Sequence, residues 1–257
     1  MFFIQLIFLI RDNLASRLAA GSVTSLTYGW MIQQVPETLI GTAIGTALLP
    51  TLSEQFARED KAAFSETIEK ALKALLALTL PIAAVLAMGL RPLLGLAFDF
   101  SDPGTALLTW VTVAYMAGLL GHSVKEVSAR SFYARQNAWI PLITAGGNAV
   151  LYALIGFLLY RPLGAPGIAL TDSIVFTLEA FVLLIILIRV TGMHLSLGST
   201  AIRSLLAAAA AGLVTWGFLR LLEPRVAPFL SGTLPMVLGW VVSLPFTWKE
   251  FKVLTRL

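Results

Sequence analysis

Apolar residues run through nearly the whole chain in long blocks separated by short polar breaks, near 2–20, 22–51, 68–98, 104–122, 139–160, 167–190, 200–222 and 229–248. A bilayer core about 30 Å thick takes about 20 apolar residues per helix, so the pattern predicts eight spans. The stretches 181–188 and 205–213 are apolar on every helical face, whereas a transmembrane barrel needs alternating segments of about ten residues. The expected fold class is therefore all-α, a polytopic transmembrane helix bundle.

The breaks give the organisation. Pro36 in the second block and Pro81 and Pro92 in the third predict kinks, because proline removes a helical donor and crowds the preceding turn. Residues 53–70 mix charge with small apolar residues, the composition of an amphipathic helix lying on a membrane surface or of a solvated connector. A turn at 99–104 opens the fourth span, 122–141 reads as a long basic connector with aromatics, and Arg161-Pro162-Leu163-Gly164-Ala165-Pro166-Gly167 makes a tight hairpin between spans five and six. Spans seven and eight carry the small-residue run 207–211 and no central acid, so 1–191 reads as a six-helix unit and 192–257 as an appended pair. Gly41 and Gly45, with Gly146 and Gly147, predict close helix approaches.

Composition agrees with the pattern. Hydrophobic residues make up 58% and charged residues 12%, about half the charged share of a soluble domain, and the mean hydropathy is +0.85. Of the eighteen Lys and Arg residues, Arg17, Arg91, Arg161, Arg220 and Arg225 fall on one side of the expected bundle and Arg11 lies within a span. The other twelve, from Arg58 to Lys252 and Arg256, fall on the opposite side, which the positive-inside rule makes cytoplasmic, with both termini there. The net charge of +4 then faces anionic lipid; the basic residues are dispersed at helix ends, which argues against a nucleic-acid partner. Met1 is followed by an apolar run with no basic residue before Arg11, unlike a cleaved signal peptide, so the first block is expected to be a retained helix. With no cysteine, disulfides, thiolate metal sites and thiol nucleophiles are excluded. No phosphate-binding loop, zinc-protease helix or nucleophile elbow occurs, and His122 and His194 are expected as solvated residues at cytoplasmic helix ends.

Charge inside the spans carries the candidate chemistry. An ionisable group at mid-bilayer costs at least about 2.5 kcal/mol and normally faces a cavity or a partner. Arg11 and Asp12 in the first span, Glu37 in the second and Glu179 in the sixth stand at such depths. Neighbours on a helix point about 100° apart, so Arg11 and Asp12 are expected to look to different helices rather than to each other. Ionised together, the four carry one positive and three negative charges, an excess that suits a coupled cation, Na+ or H+; a buried Arg11–carboxylate pair that only locks packing is the alternative. Asp172, near the outer end of its span, is expected to snorkel, while Asn148 and Thr171 offer neutral oxygens.

Three stretches resemble the MurJ (MviN) family, the lipid II flippases of the larger group that holds multidrug and polysaccharide exporters. The first is Leu14-Ala15-Ser16, Gly21-Ser22 and Tyr28, leading through Pro36 to Gly41-Thr42-Ala43-Ile44-Gly45-Thr46-Ala47-Leu48-Leu49-Pro50-Thr51-Leu52-Ser53. The second is Ser131-Phe132-Tyr133-Ala134-Arg135-Gln136 running on to Pro141, and the third is Gly167-Ile168-Ala169-Leu170-Thr171. Together they span most of residues 11–191 in the family's order.

The resemblance implies the second six-helix lobe and the trailing helix pair of a fourteen-helix transporter in a bacterial inner membrane, with the first lobe supplied by another chain or lost. It implies an undecaprenyl-linked lipid substrate carried by alternating access and no catalytic chemistry; Arg11, Asp12, Glu37 and Glu179, singled out by their depth in the spans, are then the residues expected to line the path. The family's anion-holding arginine, five residues before the proline matched by Pro36, is here Met31. For the sodium site known in some members, Asp12, Asn148 and Thr171 are the nearest counterparts, and Tyr152 stands where a second carboxylate is expected. A polysaccharide-unit or multidrug exporter, or a membrane scaffold that transports nothing, remain the alternatives.

Overall fold

The computed structural model of the protein describes residues 2–223 and 225–254, the last four by backbone alone; Arg256 and the side chain of Lys252, counted above on the basic side, lie outside the described residues. In chain order the helices are α1 (Phe2–Ala15), α2 (Ser22–Glu37), a π-helical turn (Thr38–Thr42), α3 (Ala43–Ala57), α4 (Lys61–Gly89), α5 (Arg91–Phe98), α6 (Asp102–Met116), α7 (Leu119–Ala134), α8 (Trp139–Thr191), α9 (Gly198–Leu222) and α10 (Pro228–Leu254). Five stretches are long and apolar enough to cross a membrane, and α6 with α7, bent by 40°, makes a sixth. α8 is 53 residues long, about 80 Å if it were straight, but Gly164 breaks it and it folds back as two arms, 139–163 and 165–191. Counting both arms and the 14-residue α1 recovers eight passes.

Gly164 has φ 63° and ψ −146°, a combination open in practice only to glycine. Pro162 and Pro166 flank it, so the hairpin is set by local chemistry. Gly164→Ala should cost about 1–3 kcal/mol, visible as a lower thermal midpoint in detergent; an unchanged midpoint would mean that the hairpin is held by the arms alone.

Several boundaries depart from the sequence expectations. No separate surface helix exists at 53–70: α3 continues to Ala57, and Asp60 caps α4 by accepting from the Ala63 amide at 2.9 Å. The charges instead pair along their own helices, Arg58–Glu54 at 2.5 Å, Lys70–Glu66 at 2.8 Å and Lys73–Glu69 at 2.6 Å. Pro81 is absorbed within α4, whereas Pro92 sits in the first turn of α5 after a break at Leu90, where its missing donor costs nothing. The expected connector 122–141 is mostly helix, because the chain bends at Ala117–Gly118 and resumes as α7.

The core has two halves. One joins α1, α2, α6 and α8 through Leu14, Leu26, Tyr115, Tyr152 and Ile168; the other joins α3, α4, α7 and the end of α8 through Leu52, Leu72, Leu75, Phe132 and Leu187. A cavity of about 560 Å3 lined by Gln55, Lys61, Arg135 and Thr191 gathers the turns at one end, and Ala19, Thr24, Ser101 and Gly104 line another at the opposite end. The expected close approaches are present at Gly41, where an added Cβ would lie 2.9 Å from the Ser123 Cα, and at Gly45, against the Arg130 side chain. Gly146 lies against the Phe3 ring, and nothing lies within 4 Å of a Cβ at Gly147.

The helix pair α9 and α10 packs on α4 and α5, with Gly89 against Met236 and Gly239 against Thr215. Arg203 of α9 pairs with the buried Glu250 of α10, which also accepts from the Thr200 hydroxyl at 3.2 Å.

Candidate functional site

Polar groups gather among α1–α8, in three clusters. The first is on α1. Arg11 is buried, and its Nε donates to Asp12 at 2.9 Å, so the two do neutralise each other, contrary to expectation. The arginine side chain is long enough to curl around its own helix and so spans the 100° between neighbouring positions. Asp12 is half exposed, at 49% against 8% for Arg11, so the carboxylate is the accessible member. The remaining Arg11 Nη1 is buried with no hydrogen-bond partner, as are the hydroxyls of Tyr115 and Tyr152, although both tyrosines interact electrostatically with Arg11.

The second cluster is centred on His122. Its Nε2 lies 2.8 Å from Asp172 Oδ2 on the second arm of α8, and its Nδ1 lies 3.7 Å from Glu37 Oε1 on α2. The ring stacks on Phe176 at 4.3 Å, and Glu37 also accepts from Gln33 Nε2 at 3.1 Å. His122 is therefore a buried residue in the first turn of α7, not a solvated helix end, and Asp172 does not snorkel. The backbone explains why. The bend at Ala117–Gly118 starts α7 inside the lobe, and small residues on either side let three elements close around it. A Cβ on Gly118 would lie 2.6 Å from the Ser173 Cα, on Gly121 2.7 Å from the Thr177 Cα, and Gly41 of the π turn abuts Ser123. Ser173 donates to the Ala114 carbonyl at 2.6 Å, satisfying an acceptor freed at the bend, as a low-dielectric setting demands. Pro36 and the wide turn after it end α2 at Glu37; such turns recur at functional positions in helices.

The third cluster holds Glu179. It accepts from Asn148 Nδ2 at 2.6 Å and from the Thr144 hydroxyl at 3.4 Å, both on the first arm of α8. Lys125 lies over the Phe176 ring at 4.6 Å and acts electrostatically on Glu179, as does His122. Tyr115 and Tyr152 lie between the clusters, within electrostatic range of Asp172 on one side and of Arg11 and Asp12 on the other.

Of the resemblance-based cation set, Asn148 donates its Nδ2 to Glu179 while its Oδ1 is buried with no hydrogen-bond partner, the Thr171 hydroxyl donates to Gly167 O at 2.9 Å, and Asp12 Oδ1 accepts from Arg11 Nε. Among the described residues no group of three acidic, histidine or cysteine side chains is placed to hold a metal ion. Of the four path candidates, Glu37 and Glu179 lie within the second and third clusters and Arg11 with Asp12 form the first. The residues sequence reading missed are His122, Asp172, Tyr115 and Lys125. The signal was there in the small neighbours Gly118, Gly121 and Ser123 of His122 and Thr171 and Ser173 of Asp172.

A family model for the lipid II flippase MurJ matches residues 1–237. The chain belongs to the MurJ family. Its relatives include the lipid II flippase MurJ of Burkholderia cenocepacia, 30% identical over 182 residues, or 70% of this chain and 35% of that protein. A probable lipid II flippase MurJ of Haemophilus influenzae is 28% identical over 93% of this chain and 48% of the relative. The chain thus spans about a third to a half of the MurJ relatives it matches. Among solved structures, a lipid II flippase MurJ in an inward closed conformation has a TM-score of 0.79 at 21% identity, covering 98% of this chain and 52% of that one. An outward-facing multidrug transporter of the MATE family superposes with a TM-score of 0.69 at 11% identity over 98% of this chain, which shows the shared fold. In this MurJ-family lobe Met31, standing where the resemblance expects an arginine, is exposed on α2. Arg17 donates to Asn13 at 2.8 Å, one turn back on the same strand of chain.

Proposed function

We propose that this chain forms half of a flippase that carries an undecaprenyl-pyrophosphate-linked peptidoglycan precursor, lipid II, across the bacterial inner membrane by alternating access. The observation that supports this reading best is the row of polar clusters, Arg11 with Asp12, then His122 with Asp172 and Glu37, then Glu179 with Asn148, with Tyr115 and Tyr152 between them, in a chain of the MurJ family. Charge at that depth is retained where it serves a path or a coupled ion. The other half of the path comes from a first six-helix lobe, and Asp12, the accessible carboxylate, faces it. The end that gathers Lys61 and Arg135 is cytoplasmic, by the positive-inside rule. The chain moves a lipid headgroup and makes or breaks no bond. Arg11 lies closest to the role of anion contact, since one of its nitrogens has no partner.

Complementation of a flippase-depleted bacterium tests this. Growth should return when the chain is expressed with a first lobe, and Glu179→Gln should cut the rescued rate about tenfold, the equivalent of about 1.4 kcal/mol. No rescue with the lobe supplied, for a chain shown to be folded in the membrane, would favour another exporter substrate or a scaffold.

A further inference from the structure

The His122 cluster has a property that packing alone does not require: both ring nitrogens face a carboxylate. A neutral imidazole has one N–H and one lone pair. With Asp172 at 2.8 Å from Nε2 and Glu37 at 3.7 Å from Nδ1, a neutral ring can satisfy only one of them and turns its lone pair toward the other oxygen. In a buried, low-dielectric setting that opposition is costly. One more proton on the ring removes it.

We propose that Glu37, His122 and Asp172 form a proton-binding site that clasps α2 to α7 and α8, and that release of its proton unfastens α2 at the π turn. Binding adds a second ring N–H, facing Glu37, from a water-borne proton; release returns that proton to water. The contact that weakens is Glu37 to His122, the longer of the two, while Asp172 keeps its hydrogen bond to a neutral ring. The location suits such a clasp. Glu37 is the last residue of α2, directly before the widened turn 38–42, so a change there alters the angle between α2 and α3 without breaking a regular helix.

The ionised and titratable groups around the site come from every element packed on it. α8 supplies Asp172 and Glu179, α7 itself supplies Lys125, and α6 supplies Tyr115, which interacts with Asp172. The π turn contributes no ionisable residue, α3 holds its Glu54 in an ion pair with Arg58, and the α4 acids Glu66 and Glu69 are paired to lysines of their own helix. The α1 pair Arg11–Asp12 reaches the site only through the tyrosines. Glu37 is the one carboxylate of the set whose only other partner is an amide, Gln33.

The proposal deepens the transporter reading, since unfastening α2 would matter to alternating access, but its test measures no transport, so either can fail alone. The chain has two histidines and no cysteine. In nanodiscs of phosphatidylethanolamine and phosphatidylglycerol, a His194→Gln protein carrying isotope-labelled histidine should show a His122 ring with two N–H groups at the acid end of a pH series and one at the alkaline end. Spin labels on Val35→Cys and Leu178→Cys, exposed positions on α2 and α8, should lose their short-distance population over the same interval. Glu37→Gln, whose amide can donate to a neutral ring, should keep that population throughout. A ring with one N–H at every pH, a label distance that ignores pH, or a Glu37→Gln protein that still releases α2 would each overturn the proposal.

Discussion

Replacing His122 by leucine should destabilise the lobe by about 3 kcal/mol or more, the cost of leaving buried charge without its counterpart. The imidazole lies between Asp172 and Glu37, so its removal strips two carboxylates of their shared donor. Interhelical hydrogen bonds between neutral groups in membranes average only about 0.6 kcal/mol, so a loss of that size would mean that the cluster behaves as an ordinary polar contact. The double replacement His122→Leu with Asp172→Leu should recover most of the loss, because it removes the stranded acid closest to the ring and fills its space with apolar volume. Unfolding of the four proteins of this cycle in nanodiscs measures the coupling; a double variant as weak as His122→Leu would show that the stability resides in packing around Phe176 instead.

Gly121→Ala should be comparably damaging for a steric reason. The added Cβ would lie 2.7 Å from the Thr177 Cα and 2.3 Å from its Oγ1, and the first of these is backbone that no rotamer change can move away. α7 and α8 would have to separate, with a cost of about 1–3 kcal/mol or more for overpacking, and the His122–Asp172 bond on the next residue of α7 would lengthen with it. Gly147→Ala and Gly217→Ala meet nothing within 4 Å, so they should be neutral or stabilising by up to about 1 kcal/mol through helix propensity. Thermal midpoints of the three proteins would separate these effects; equal shifts for all three would refute the close crossing of α7 and α8.

Much of the candidate site was legible in part. Glu37 and Glu179 stood out because a charge in a long apolar block needs a partner wherever the block goes, and both lie in polar clusters of the lobe. Asn148 and Thr171 are buried polar positions of α8, and their partners are not legible in the sequence, since spacing says which face a residue occupies and nothing about what another helix brings to it. His122 is misplaced because the apolar run of the fourth span ends in sequence before its helix does: α7 is less apolar and is helical because it is held between α8, α4 and the π turn. Asp172 is misplaced because its position in its own span gives no sign of the histidine that α7 brings to it. Arg11 and Asp12 were separated on paper by helical geometry and joined in the structure by the length of an arginine side chain.

The sequence by itself determined the solvent, the helical class, the approximate passes and the hairpin at Gly164, because apolar length, proline and glycine act locally and need no knowledge of neighbours. Its motif order also carried the family. The bend between α6 and α7, the π turn after Pro36 and the meeting of Glu37, His122 and Asp172 were decided only by tertiary structure. Those depend on how closely helices distant in sequence can approach, and that distance is set by pairs of small residues, Gly41 with Ser123, Gly118 with Ser173 and Gly121 with Thr177, whose partnership exists only once the chain has packed.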